Sequence, residues 1–322
     1  MNKGRTYTEE YVRINGIVQY FLHYPVDPER EVMLVIHGGP GQSEAPYAYY
    51  VEPETPEFTS VYYDQRGAGK TLRRNPTKGQ DVNQAQLMED LRETVRYIKE
   101  KYQKEKIVLS GHSWGSVLGL LYAHQHPEDV LFYLGAGQVI DLRKSEREIF
   151  RLLLELAKDN PVDCQKLKQL GDYPNNISTV QEYERAGKVI KKLKQKYGIW
   201  LDEKKIKDIF TKSPLFQLAD VFAMMKASKL SRPLIEFLLT FNAEFLVDFQ
   251  VPMYFIHGAK DYQISVTPLE AYLEQINAPD KALFLVPDAG HFVSVDNREG
   301  ALSAIREIFD LTRFQGTCKV IN

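Results

Sequence analysis

A short apolar run, Ile107-Val108-Leu109, leads almost directly into Gly111-His112-Ser113-Trp114-Gly115, and Ser116-Val117-Leu118-Gly119-Leu120-Leu121-Tyr122-Ala123 follows at once. The first piece suits a buried strand and the last suits a helix, so the five residues between them must reverse the chain in a tight turn. A G-x-S-x-G turn in that setting holds its serine at strained backbone angles and lifts the hydroxyl above the edge of a sheet. Glycines flank the serine because a side chain there would strike the neighbouring strand or helix. The stretch therefore commits the chain to strand followed by helix and marks Ser113 as a candidate nucleophile. The plain alternative is a glycine-rich turn carrying an ordinary serine.

The same texture recurs along the chain. Val32-Met33-Leu34-Val35-Ile36 is a continuous apolar run, the mark of a strand buried on both faces. Similar runs are Thr59 to Tyr63, Val130 to Leu134, Val251 to Ile256 and Ala282 to Val286. Between Gln86 and Tyr102, Leu87, Leu91, Val95, Ile98 and Tyr102 recur at helical spacing, and a closing helix is expected around Arg298 to Leu311. Tyr11 to Tyr24 alternates apolar and polar residues around Asn15-Gly16, a hairpin signal. Strands alternating with helices imply an α/β fold: a mostly parallel central sheet with helices on both faces. From about Asp141 to Phe245 the sequence is lysine-rich and helical in period, as in Glu146 to Ala157 and Glu182 to Tyr197. The expectation is a helical cap, residues 139–246, inserted into an α/β core of residues 1–138 and 247–322.

A chain of 322 residues with 43% apolar and 26% charged residues has material for a large core. Lys and Arg total 41 against 43 Asp and Glu, a formal charge of −2, which gives no electrostatic footprint for nucleic acid. The opening Met1-Asn2-Lys3-Gly4-Arg5-Thr6-Tyr7 lacks the apolar core of a signal peptide, and runs such as Val32 to Ile36 and Leu152 to Leu154 are too short to span a bilayer. The expectation is a cytoplasmic protein with no membrane partner. Cys164 and Cys318 are then two free thiols in a reducing compartment, although they could pair. No Cys/His cluster has zinc-like spacing, and no metal or organic cofactor is expected. Oligomeric state leaves no mark in the sequence.

A serine hydroxyl needs a base, and the base needs an orienting acid. In the strand–elbow–helix architecture these follow in the order Ser, Asp or Glu, His, on loops after late strands. Asp261 follows the strand ending at Ile256, within His257-Gly258-Ala259-Lys260-Asp261. His291 follows the strand ending at Val286, within Pro287-Asp288-Ala289-Gly290-His291. Strand carboxyl ends are where open α/β sheets build sites. Ser113 is assigned as nucleophile, His291 as general base and then acid, and Asp261 as the group that orients the imidazole. Asp288 competes with Asp261 but shares the histidine's own loop, where it shapes the turn. His112 and His257 are read as holding loops near the site. An oxyanion hole needs two converging N–H donors. Trp114, after the nucleophile, supplies one, and Gly39, in the loop His37-Gly38-Gly39-Pro40-Gly41, supplies the other. Gly67-Ala68-Gly69-Lys70-Thr71 ends like a phosphate-binding loop, but Asp64 stands where that pattern needs its first glycine.

Three segments together resemble the prolyl aminopeptidase (proline iminopeptidase) family of α/β-hydrolases: His37-Gly38-Gly39-Pro40-Gly41, Asp64-Gln65-Arg66-Gly67-Ala68-Gly69 and Gly111-His112-Ser113-Trp114-Gly115. Gly258-x-x-Asp261 and Gly290-His291 fit as well, so the resemblance spans roughly residues 10–135 and 250–310. It implies an α/β-hydrolase fold, and a serine peptidase that releases an N-terminal residue, often proline, from a peptide or amide without a cofactor. It also implies that the Asp-Gln-Arg-Gly segment buttresses the oxyanion loop, a role given to Asp64 and Arg66. The chain departs from the family in the cap. Family members carry Trp-x-x-Trp-Glu there, and that glutamate binds the substrate amine. Here Trp200 is followed by Leu201-Asp202-Glu203. Glu182, Glu184, Glu236 and Glu244 are the available acids, each equally readable as solvated helix surface. The leading expectation is a prolyl aminopeptidase-type serine hydrolase. An esterase or amidase on small non-peptide acyl substrates is the runner-up, and a non-catalytic binding protein on the same fold is a third reading. Dehalogenase and epoxide hydrolase chemistry is disfavoured, because those relatives usually place an aspartate at the elbow.

Overall fold

A computed structural model describes residues 7–25, 27, 29–51, 58–75 and 82–314. The chain opens with a hairpin, β1 (Thr8–Ile14) and β2 (Ile17–Tyr24), turned by Asn15 and Gly16. Both turn residues have positive φ, +43° and +82°, which matches the twist of the flanking strands. The remaining strands are β3 (Glu31–Ile36), β4 (Phe58–Tyr63), β5 (Ile107–His112), β6 (Val130–Ala136), β7 (Met253–Gly258) and β8 (Lys281–Val286). They form one eight-stranded sheet in the order β1-β2-β4-β3-β5-β6-β7-β8. Pairing is antiparallel at the β1-β2-β4 edge and parallel from β4 to β8.

The helices are α1 (Ala48–Val51), α2 (Gly69–Arg74), α3 (Gln84–Tyr102) and α4 (Trp114–Gln125), followed, between β6 and β7, by α5 (Leu142–Leu156), α6 (Pro161–Lys168), α7 (Val180–Lys196), α8 (Glu203–Lys212), α9 (Leu218–Leu230) and α10 (Arg232–Thr240). After β7 comes α11 (Thr267–Gln275), and after β8 come α12 (Val293–Asp296) and α13 (Arg298–Phe314). Successive strand residues point to opposite faces, so the apolar runs feed two cores. Leu34, Ile36, Leu109 and Phe255 pack with Leu87, Leu91, Val95 and Ile98 of α3 and with α4. Met33, Val35, Val108, Leu134 and Ile256 pack on the other face with Ala301, Ala304, Ile305 and Ile308 of α13.

The segment between β6 and β7 leaves and rejoins the sheet through a narrow neck. Asp141 and Asn242 form an isolated antiparallel bridge, and Ala243 N–H donates to the Ile140 carbonyl at 2.9 Å. The Asp141 side chain also caps α5 by accepting from Lys144 N–H at 3.0 Å. The segment that looked like a phosphate-binding loop is structural. Lys70 is buried at the start of α2 and its Nζ pairs with Glu9, while Thr71 Oγ1 bonds the Asp64 carbonyl. Among the described residues no helix is long and apolar enough to cross a membrane. Cys164 carries a free thiol that donates to the Ala157 carbonyl, and Cys318 lies outside the described residues.

Candidate active site

β5 ends at His112 and α4 begins at Trp114, leaving Ser113 alone at the turn with φ +51° and ψ −118°. Such angles are sparsely populated for any residue with a side chain, and the surroundings impose them. Ser113 N–H donates to the Ala136 carbonyl at 3.0 Å, and its own carbonyl accepts from Ser116 N–H and Ser116 Oγ. Gly115 then passes so close to β3 that a β-carbon there would lie 1.9 Å from the Ile36 carbonyl oxygen. Glycine at this position is a steric requirement of the elbow.

The structure brings His291 and Asp261 together. His291 Nδ1 lies 2.8 Å from Asp261 Oδ2, and both side chains are buried. The other carboxylate oxygen, Oδ1, accepts from the backbone N–H of Gln263 at 2.8 Å and of Ile264 at 2.9 Å. Burial alone would raise the Asp261 carboxyl, but the adjoining His291 and His257 rings and the Ile264 N–H outweigh it and hold the pKa at about 2. Asp288 takes no part: it is exposed and pairs with Lys260 at 2.7 Å. His257 is fully buried, donates from Nε2 to the Ile264 carbonyl at 3.0 Å, and is pushed towards its neutral form by that burial. The His291 loop is held by Asp296, whose Oδ2 accepts from Gly290 N–H at 2.9 Å.

The loop His37-Gly38-Gly39-Pro40-Gly41 runs beside the elbow, where a β-carbon on Gly38 would sit 3.1 Å from Ser113 Cβ. Gly38 is buried, Gly39 is exposed, Pro40 is half-buried, and Gly41 lies against Ala227 and Ser231 from the segment between β6 and β7. Gln65 holds this loop in place. Its N–H donates to His37 Nε2 at 3.0 Å and its Nε2 donates to the His37 carbonyl at 2.8 Å. Its Oε1 accepts from Trp114 Nε1 at 3.0 Å.

Asp64 reaches the same loop further on, through a hydrogen bond with Ser43, and accepts from Lys70 N–H at 2.6 Å; burial pushes its carboxyl up. Arg66 points elsewhere. It makes a two-pronged buried pair with Asp90 of α3, at 2.7 and 3.0 Å, and donates to the Asn15 carbonyl in the hairpin turn. Of the Asp64-Gln65-Arg66 run, Gln65 grips the loop at His37 and Asp64 reaches it at Ser43, while Arg66, to which the resemblance also gave this role, turns to Asp90.

Three of the four candidate acids of the helical segment are engaged with other groups. Glu182 closes a capping box at the start of α7, accepting from Ser178 and Thr179 N–H, which hold its carboxyl low. Glu184 pairs with Arg232, Glu244 pairs with Lys144, and Glu236 is exposed. No hydrogen bond or ion pair joins any of the four to Ser113, Asp261 or His291 among the described residues. Trp200 donates from its indole to Glu203.

Besides Gln65, sequence reasoning missed Glu44, the partner of His112, which was read as holding a loop near the site. Glu44 and His112 pair at 2.6 Å, Glu44 also accepts from Gly38 N–H, and His112 Nε2 faces the His291 carbonyl at 3.0 Å. The one group of potential metal ligands among the described residues is His126, Glu128 and Asp129. Its members are committed to neighbours, Asp129 to Lys99 and Tyr122 and His126 to Glu128.

The chain is 24% identical over 302 residues to "Probable aminopeptidase YbaC" of Bacillus subtilis, covering 88% of this chain and 87% of that one. It is 28% identical over 168 residues to "Proline iminopeptidase" of Saccharolobus solfataricus, which is 52% of each chain. A crystal structure of proline iminopeptidase from Mycobacterium smegmatis superposes with a TM-score of 0.66 at 16% identity, covering 96% of this chain and all of that one. A second solved structure, that of VinJ, also superposes at 0.66, with 18% identity over 95% of this chain and 99% of that one. At such identity these two structures speak to the fold alone. Residues 31–298 match the family described as the alpha/beta hydrolase fold. With its mostly parallel sheet, its serine elbow and its prolyl aminopeptidase-like motifs, the chain belongs to that family.

Proposed function

We propose that the chain is a serine hydrolase of the prolyl aminopeptidase type, releasing an N-terminal residue from a peptide or amide through an acyl-enzyme. The observation that carries this reading is the 2.8 Å contact between His291 Nδ1 and Asp261 Oδ2. A depressed carboxyl accepts the Nδ1–H, so the Nε2 lone pair is left for the Ser113 proton. Ser113 Oγ attacks the acyl carbon as its proton passes to His291. The tetrahedral intermediate collapses when His291 returns that proton to the leaving amine. A water, deprotonated by the same imidazole, then attacks the acyl-enzyme, and the proton goes back to Ser113 Oγ as the acid is released.

The developing oxyanion is assigned to two backbone donors. Trp114 is the first residue of α4, so its N–H has no acceptor within the helix. Gly38 N–H is committed to Glu44, which makes the exposed Gly39 the donor on the other side. His37, Gly38, Pro40 and Gly41 shape that loop. Residues 139–246 act as a cap that selects the substrate, a role supported by the contact of Gly41 with Ala227 and Ser231.

The engagement of Glu182, Glu184 and Glu244 favours a second reading, an esterase or amidase with no call for a free amine. A panel of proline, alanine and leucine naphthylamides, acetyl-proline naphthylamide and a short nitrophenyl ester decides between them. The first reading expects cleavage of a free-amine naphthylamide and little of the blocked one. Equal cleavage of blocked and free forms gives the second. Binding of such compounds without turnover of any of them would remove both and leave a binding protein.

A further inference from the structure

Three loops converge beside Ser113: the glycine loop at Gly38, the elbow at His112 and the loop carrying His291. Glu44 and His112 touch all three. Glu44 Oε1 accepts from Gly38 N–H at 2.9 Å and lies 2.6 Å from His112 Nδ1. His112 Nε2 lies 3.0 Å from the His291 carbonyl oxygen. A carbonyl oxygen only accepts, so Nε2 carries a hydrogen. The carboxylate on the other side calls for a second hydrogen at Nδ1, and the ring becomes an imidazolium. The two side chains are only 12% and 15% exposed.

We infer that Glu44 and His112 form a charged clamp that sets the oxyanion loop and the His291 loop at fixed distances from the elbow, and so act as positioning residues for hydrolysis. This rests on the function proposed above. Both residues hold the loops through backbone atoms, and the His112 ring also lies against the His291 ring, with centroids 4.9 Å apart. Burial works against the charge on each partner. For Glu44 the His112 charge and the Gly38 N–H reverse that effect and lower its pKa, and for His112 the Glu44 charge raises it. The His112 ring packs on Phe292, with centroids 5.0 Å apart, but is not enclosed on every side. Glu44 and His112 border an apolar cavity of about 120 Å³, lined also by Met33, Val35, Leu134 and Phe292, which gives the His112 ring room to shift once the clamp is cut.

The test uses the full chain and the naphthylamide it cleaves best, with active serines counted by a fluorophosphonate probe. Glu44→Gln and His112→Gln each lower kcat per titrated serine by at least about tenfold, and KM stays within about threefold, because alignment is lost and substrate contacts are not. In the double variant the losses do not multiply, since either change alone cuts the same clamp. Singles within about twofold of the parent kcat, or losses that multiply, overturn the clamp. In the unmodified protein, nitrogen-15 NMR of labelled histidine is expected to show both His112 ring nitrogens protonated at neutral pH. A neutral ring there overturns the clamp even if the variants fail to fold. A parent protein that turns over nothing in the panel, or that is labelled by the probe away from Ser113, defeats the proposed function itself.

Discussion

The indole Nε1 of Trp114 donates to Gln65 Oε1 at 3.0 Å, and this contact ties the residue after the nucleophile to the loop opposite it. Gln65 passes the constraint on through its two bonds to His37. The side-chain amide sits in the interior with its donor and its acceptor both used. Gln65→Leu leaves the His37 carbonyl and the Trp114 N–H buried without partners, which costs about 1–3 kcal/mol for each group. A lower urea midpoint, with kcat/KM down by about tenfold or more, is the expected result. A loss of stability with unchanged kinetics would remove Gln65 from the site.

Ser113→Ala is expected to lower kcat/KM by at least about 10⁴-fold while circular dichroism stays unchanged. Ser113→Gly gives the sharper reading. At φ +51° and ψ −118° any β-carbon is strained, and glycine releases about 1–3 kcal/mol of that strain. The glycine variant should therefore melt above the alanine variant, with both inactive. The opposite order would mean that the elbow is not held against its own preference.

Asp261→Asn preserves shape but lets His291 take the wrong tautomer, and a loss in kcat of about 10³- to 10⁴-fold is expected. The pH dependence follows from the depressed carboxyl. A group lowered to about 2 in the fold contributes stability that is present above its unfolded value near 4 and is lost as pH falls towards 2. Urea midpoints measured between pH 5 and pH 2 should fall more for the parent protein than for Asp261→Asn. Parallel curves would show that this carboxyl is not coupled to folding.

Arg66→Leu removes the cation paired with Asp90, a carboxylate with side-chain exposure of only 3% that keeps only the amide donors of Asn15, Gln19 and Gln86 among the described residues. Removing one member of such a pair costs about 3–5 kcal/mol. The bonds of Arg66 run to α3 and the hairpin turn, so the folded fraction should keep its KM and its kcat per titrated serine. A kinetic defect at full folding would return Arg66 to the oxyanion loop.

The elements were readable where a local rule decides the outcome. Asn15-Gly16 specifies its own turn, and the unbroken apolar runs became β3, β4, β7 and β8 within a few residues of the expected limits. Asp261 and His291 could be picked out because strand ends in this fold face one edge, and the structure pairs them rather than Asp288 with His291. Partnership between distant loops left no such trace. Glu44 looks like any loop acid until the fold brings His112 and Gly38 to it, and Gln65 sat unweighed between two charged neighbours. Glu184 and Glu244 looked free because the groups that occupy them lie outside the local pattern: Arg232 is 48 residues from Glu184, and Lys144 is 100 residues from Glu244.

The neck at Asp141 and Asn242 also bears on engineering. The chain between these two residues begins and ends at one pair of bridged positions, so a replacement has to close the same short gap and restore the packing of Ala227 and Ser231 on Gly41 and of Phe237 on Trp114. The strands on either side, β6 and β7, are direct neighbours and need not move. Helical segments from related hydrolases can be joined at these two positions, and under the function proposed above the exchange changes which substrates are accepted.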